Sequence, residues 1–227
     1  MQDEIQVEFE LDGWSLFFAQ LERTEGFGEE LAAVREAAVE KAREKLDLAS
    51  LATQPTVAAL RQLFRAAGCD PTRYRPSSEA LIRRILKGAP LPAINSLVDL
   101  NNCLSLELAV PCCVMAEEAV GSPYVFRSGL PGESYESLKG PFNLEGKPLL
   151  VDVHGPCDVP VTGSQRVKIQ TDTRRAVLVA YLPAGEVSAA VAREQLERLL
   201  AAAPVARILG SCYRPTQTEE AQKHQNG

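Results

Sequence analysis

At Pro111 the texture of this 227-residue chain changes, and that change constrains the fold more than any other feature. Before it, apolar residues recur every three or four positions. After it, Gly121-Ser122-Pro123, Leu130-Pro131-Gly132, Gly140-Pro141 and Gly155-Pro156 deliver turn signals at intervals too short for helices. Helical text followed by short-strand text predicts an α+β fold rather than a doubly wound sheet.

The periodicities place the elements. Residues Ile5 to Leu11 alternate apolar and acidic side chains, the pattern of a strand with one wet face. Leu31, Val34, Ala38, Ala42 and Leu46 define an amphipathic helix from Glu29 to Ala49. A second helix is expected from Thr56 to Ala67, stopped by Gly68. A third follows Pro76 with Ser77 or Ser78 as cap, and a fourth starts at an Asn95 cap and is closed by Pro111. Strands are predicted at Tyr124 to Arg127, Leu149 to Val153, Val159 to Thr162, Arg166 to Ile169 and Ala176 to Leu182. The last is almost wholly apolar and so central. A final helix covers Val187 to Ala203, and the polar stretch from Thr216 lacks periodicity. The resulting division is an N-terminal strand and helix over residues 1–55, a domain over 56–210, and a polar, flexible tail over 211–227.

No window approaches the roughly 18 consecutive apolar residues of a spanning helix, and the start, Met-Gln-Asp-Glu-Ile, lacks the layout of a signal peptide. The expectation is a cytoplasmic protein without membrane contact. Six cysteines without a C-x-x-C pair are expected to be reduced thiols. A net charge of -6 argues against a protein that coats nucleic acid, and no DNA partner is expected. Between Arg61 and Gly88, however, seven basic residues face two acidic ones. Arg75, Arg83 and Arg84 from that stretch are candidate phosphate contacts, the alternative being that these arginines pair with glutamates.

The signatures of nucleotide, dinucleotide, zinc-protease and α/β-hydrolase chemistry are absent. His154 stands at a strand end, where a surface role is the simpler reading. Cys112, Cys113, His154 and Cys157 offer soft metal ligands, but vicinal cysteines diverge, and no metal or other cofactor is expected. Asn95, Asp99, Asn101 and Asn102 crowd one helical stretch despite poor helix propensity, as caps or as a polar rim on a pocket; Asn102 returns to the face of Asn95. Thr162-Gly163-Ser164 reads as a turn or as a loop whose amides meet a substrate. Asp152 and Thr173 are further pocket candidates, with strand ending and turn formation as the competing roles.

The run from Ala67-Gly68-Cys69-Asp70-Pro71 through Arg73-Tyr74-Arg75-Pro76-Ser77-Ser78-Glu79-Ala80-Leu81 to Ile94-Asn95-Ser96-Leu97-Val98-Asp99-Leu100-Asn101-Asn102 resembles the free-standing B3/B4 domain family. The likeness extends over about residues 57 to 183. Members are similar to the editing module in the β subunit of phenylalanyl-tRNA synthetase. The resemblance implies a central, mostly antiparallel or mixed sheet flanked by helices, with a pocket for the aminoacyl 3′ end of tRNA. It aligns Asn102 and Pro111 with family positions, puts Cys113 where a pocket histidine is common, and matches Thr162-Gly163 to a small pair flooring the pocket. It also places the synthetase's tyrosine-reading glutamate near Ala180.

The resemblance thus implies a trans-acting aminoacyl-tRNA deacylase with tRNA as partner. Asn102 and Cys113 are its candidate catalytic groups, and Asn101, Thr162, Gly163, Asp152 and Thr173 the substrate-binding ones. Ester hydrolysis of this kind needs a positioned water and donors at the oxyanion, not a nucleophilic side chain. A non-catalytic module binding tRNA or an amino acid is the alternative, and a thiol hydrolase using Cys113 a third reading.

Overall fold

The computed structural model describes residues 5–215. The chain opens with β1 (Val7–Phe9), β2 (Trp14–Arg23) and α1 (Gly28–Lys45), then continues through α2 (Pro55–Ala66), α3 (Ser77–Leu86) and α4 (Ser96–Leu108). A run of strands follows: β3 (Cys112–Ala116), β4 (Tyr124–Ser128), β5 (Ser134–Ser137), β6 (Gly140–Asn143), β7 (Pro148–Asp152), β8 (Gly155–Val159), β9 (Thr162–Gly163) and β10 (Arg175–Pro183). The helix α5 (Ala189–Ala202) and the strand β11 (Ala206–Pro215) complete it.

The α+β class is therefore as expected, with the strands divided between two sheets. One has the order β1-β4-β7-β8-β9 and the other β11-β2-β10-β3, while β5 and β6 form a separate ribbon. The pairs are antiparallel except for β1 against β4. As predicted, β10 is central, flanked by β2 and β3 and buried from Ala176 to Leu182.

Several expectations are corrected. The sequence reading left out β2, whose run from Trp14 to Leu21 is nearly all buried and so lacks the alternation of a half-wet strand. The turn into it depends on Gly13, whose φ is +77° and where a Cβ would lie 2.7 Å from Leu63 Cδ2. Arg166 to Ile169 is not a strand: Val167 and Ile169 are buried, but Arg166 is drawn aside to Asp152. The strand predicted at Val159 to Thr162 begins earlier, at Gly155, and residues 160–161 turn it into β9. Gly140-Pro141, expected as a turn, belongs to β6. Neither Ser77 nor Ser78 caps α3; Pro76 occupies the cap position and its carbonyl accepts from Ala80 N. Residues 211–215, assigned to the tail, complete β11 against β2, and the remainder of that tail lies outside the described residues.

Aromatic packing joins the sheets. Trp14 on β2 meets Phe64 of α2 and Phe126 of β4, with ring centroids 6.0 and 5.4 Å apart, and Phe126 meets Tyr181 of β10 at 5.6 Å. All four side chains are fully buried, and burying a ring of this kind contributes about 2–3 kcal/mol. This cluster fixes the position of Tyr181, on which the candidate site is built.

Candidate functional site

Tyr181 packs its ring in that apolar cluster, and a phenol so placed needs a partner for its hydroxyl. It donates to Asp158 Oδ2 at 2.6 Å. Asp158, on β8, is 2% exposed, and burial raises its carboxyl from the usual 3.8 to about 7. The Tyr181 hydroxyl, the Cys113 thiol and the Val159 amide oppose that rise by hydrogen bonding to the charged form. Asp158 thus sits near the ionisation range of a general base, with three donors directed at it.

Cys113, on β3 at the edge of its sheet, reaches this acid on β8 of the other sheet. Its thiol is pushed well above the ordinary thiol range, first by burial and then by the neighbouring carboxylate. A thiol in that setting favours the protonated form, which donates to the carboxylate and is a poor nucleophile. On the other side, β8 pairs with β9 so that Asp158 faces Gly163 and Val159 faces Thr162. A Cβ on Gly163 would stand 3.9 Å from Asp158 Oδ1 and 3.4 Å from Leu138 Cδ1. The glycine therefore leaves a gap of about a methyl between the carboxylate and Leu138. Tyr135 of β5 donates from its hydroxyl to Thr162 O at 2.6 Å, and burial raises its phenol well above the ordinary range.

The structure thus brings together Cys113, Thr162 and Gly163 and adds Asp158, Tyr181 and Tyr135, which sequence reasoning missed. A signal existed for two of them. Asp158 is a lone acid between Cys157 and Val159, and Tyr181 a lone hydroxyl in the apolar run of β10. The carboxylate of this cluster lies on β8, while Ala180, the expected position of the family glutamate, is fully buried between Phe17 and Cys112.

Asn101 and Asn102 lie on α4 beside β3. The Asn101 amide nitrogen donates to Cys112 O at 3.3 Å, while its buried Oδ1 has no partner among the described residues. Asn102 is half-buried. Asn95 caps α4 by accepting from Val98 N at 3.0 Å and lines a cavity of about 480 Å³ with Arg35 and Asp99, away from Asn102. The common face expected for Asn95 and Asn102 does not form one pocket.

The remaining candidates stand apart. Asp152 is held by both terminal nitrogens of Arg166, at 2.9 and 3.3 Å, and accepts from the backbone of His154 and Gly121. Thr173 closes a turn by accepting from Gln170 N at 2.8 Å. Arg75 and Arg83 lie 3.2 and 2.8 Å from Glu79, a fully buried carboxylate that also binds Arg61. Arg84 is exposed on the same helix.

His154 is an exposed turn residue, and none of the six cysteines forms a disulfide. Among the described residues no group of three His, Cys, Asp or Glu side chains is arranged to hold a metal ion. A cavity of about 550 Å³ lies elsewhere, against Tyr124, Gln20, Glu117 and Arg175. No helix among the described residues is long and apolar enough to cross a membrane.

No curated protein matches the chain. Among solved structures, an N-terminal fragment of the phenylalanyl-tRNA synthetase β subunit from Pyrococcus horikoshii aligns with a TM-score of 0.45 and 12% identity, over 100% of this chain and 62% of that one. The chain thus spans less than two thirds of that fragment. The B3/4 domain model matches residues 59–198, more than half of the chain, and takes in the run from Ala67 to Asn102 together with Cys113, Asp158, Thr162, Gly163 and Tyr181. On that match the chain belongs to the B3/4 domain family.

Proposed function

We propose that this protein hydrolyses the ester of a mischarged aminoacyl-tRNA, acting in trans on the aminoacyl 3′ end. The observation that carries the reading is the buried Asp158 carboxyl beside Gly163, whose missing side chain leaves a methyl-sized gap under Leu138, within a chain of the B3/4 family. In this mechanism the aminoacyl group enters over Gly163. Asp158 takes a proton from the attacking water as its oxygen bonds to the ester carbon. The Asn102 amide and the backbone around Thr162-Gly163 stabilise the oxyanion, and the ribose oxygen leaves with the proton that Asp158 returns. Cys113 and Tyr181 hold the acid in place rather than attacking the ester.

A second reading, a module that binds tRNA or an amino acid without turnover, is favoured by the hydrogen bonds that already engage Asp158 and by Leu138, which covers Gly163. Release of amino acid from a panel of correctly charged and mischarged tRNAs separates the two. The deacylase predicts turnover on a mischarged member that is lost with Asp158→Asn or Asn102→Ala. Binding without turnover by the unmodified protein overturns the enzyme and leaves the module.

A further inference from the structure

The β5–β6 ribbon belongs to neither main sheet, yet it is fastened to the candidate site. Leu138 N donates to Gly163 O at 3.0 Å, Gln165 N donates to Glu136 O at 2.9 Å, and Ser137 bridges Ser164. With the Tyr135 bond to Thr162 O, these contacts set the two-residue tip, Leu138 and Lys139, over Gly163. That tip exposes an apolar side chain, Leu138 at 49%, next to an exposed cation.

From the tip the ribbon leads to further ligand-binding chemistry. Phe142 stacks on Tyr135 at 6.2 Å and meets Tyr74 edge-on at 5.8 Å, and the Arg73 guanidinium lies 5.1 Å from the Tyr74 ring centre. Arg73 and Lys139 are both exposed and are outside the ion pairs of the described residues, whereas Arg61, Arg75 and Arg83 are all held by Glu79. Lys147 Nζ lies 4.1 Å from the Tyr74 centre and 5.5 Å from that of Phe142, so the half-buried rings are backed by one cation and flanked by two exposed ones, Arg73 on Tyr74 and Lys139 at the tip. Rings that can take bases beside cations that can take phosphates form the combination that binds single-stranded nucleic acid, with little demand on sequence.

Resting on the deacylase reading, we infer that the β5–β6 ribbon, from Lys139 at its tip to Arg73 beside Tyr74, receives the single-stranded 3′ end of the RNA and delivers its acylated terminus to Gly163 and Asp158. The phosphate contacts expected from Arg75 and Arg83 are thereby reassigned to Lys139 and Arg73.

The test is binding of a deacylated tRNA, and of the same tRNA lacking its single-stranded 3′ nucleotides, at two salt concentrations. Lys139→Ala and Arg73→Ala should each weaken binding of the intact tRNA about three- to tenfold and lower the salt slope by about 0.7. Phe142→Leu should weaken it about tenfold through lost stacking. On the truncated RNA none of the three should matter, and Lys45→Ala, on α1, should be silent on both. Melting curves confirm that each variant folds, and Lys139→Glu at the exposed tip serves as a second variant. Unchanged affinity in the variants, with 3′-end-dependent binding by the unmodified protein, would place the RNA elsewhere and overturn the inference alone. Equal losses on truncated RNA, or on an acidic peptide, would reduce the ribbon to a general anion surface and overturn it too. If the unmodified protein binds no tRNA but still deacylates, only the ribbon assignment falls; if it does neither, both readings fall.

Discussion

The 2.6 Å bond from Tyr181 Oη to Asp158 Oδ2 ties β10 of one sheet to β8 of the other through an acid that water scarcely reaches. Because burial raises that acid from the usual 3.8 to about 7, the folded protein binds a proton there more tightly than the unfolded chain does. The associated stability is fully present below pH 3.8 and is lost as pH rises through about 7. About three pKa units correspond to roughly 4 kcal/mol across that window. Chemical denaturation of the wild type and Asp158→Asn at pH 5 and pH 8 checks the sign: the substitution should gain ground relative to wild type at pH 8. An equal difference at the two pH values would show that Asp158 does not titrate in this range. In the deacylation assay the same variant should lose about 100-fold or more in turnover.

Glu79 is fully buried and faces Arg61, Arg75 and Arg83. Removing one side of a buried ionic cluster leaves uncompensated charge, at a cost of about 3–5 kcal/mol. Glu79→Gln should fall at the lower end, because Arg75 and Arg83 keep contact with water, at 36% and 26% side-chain exposure. Urea titration gives the number, and a loss under about 1 kcal/mol would mean that the arginines are solvated independently of Glu79.

Gly163 tests the site without testing the fold. The methyl of Gly163→Ala would meet Leu138 Cδ1 at 3.4 Å, an ordinary contact, so stability should change by under about 1 kcal/mol. The same methyl occupies the space beside Asp158 Oδ1, and turnover should fall by about tenfold or more at unchanged melting temperature. Full activity in this variant would show that the aminoacyl group enters from another side.

Cys113 should resist alkylation, because its thiol is held protonated by burial and by Asp158. Mass spectrometry after iodoacetamide treatment of the folded protein at pH 8 should find Cys113 unmodified. Cys113→Ser keeps a donor for the carboxylate and should retain turnover within about threefold, whereas Cys113→Ala removes the donor and should lose more. Rapid alkylation with loss of turnover would revive the thiol mechanism.

The helices were legible because each carries its own signal: Leu31, Val34, Ala38 and Ala42 recur at the helical period, and Asn95 caps α4 where its residue type predicts. Central burial of β10 was equally legible. The double burial of β2 was not, since an apolar run without alternation carries no mark of its neighbours. Nor was β11, whose mixed residues become a strand only through pairing with β2. The residues Thr162, Gly163 and Cys113 were identified from the sequence as site candidates, and of the two roles open to Arg75 and Arg83 the pairing with a glutamate is the one formed, with Glu79, whose burial depends on packing.

Taken by itself, the sequence determined the α+β class, the helix boundaries to within a few residues and family membership, because these follow from local periodicity and an ordered string of residues. Only the tertiary structure decided that Asp158, Cys113 and Tyr181, up to 68 positions apart, share one hydrogen-bonded cluster. Ionisation of Asp158 depends on how much water its neighbours exclude, and exclusion of water is a property of packed surfaces rather than of any residue alone.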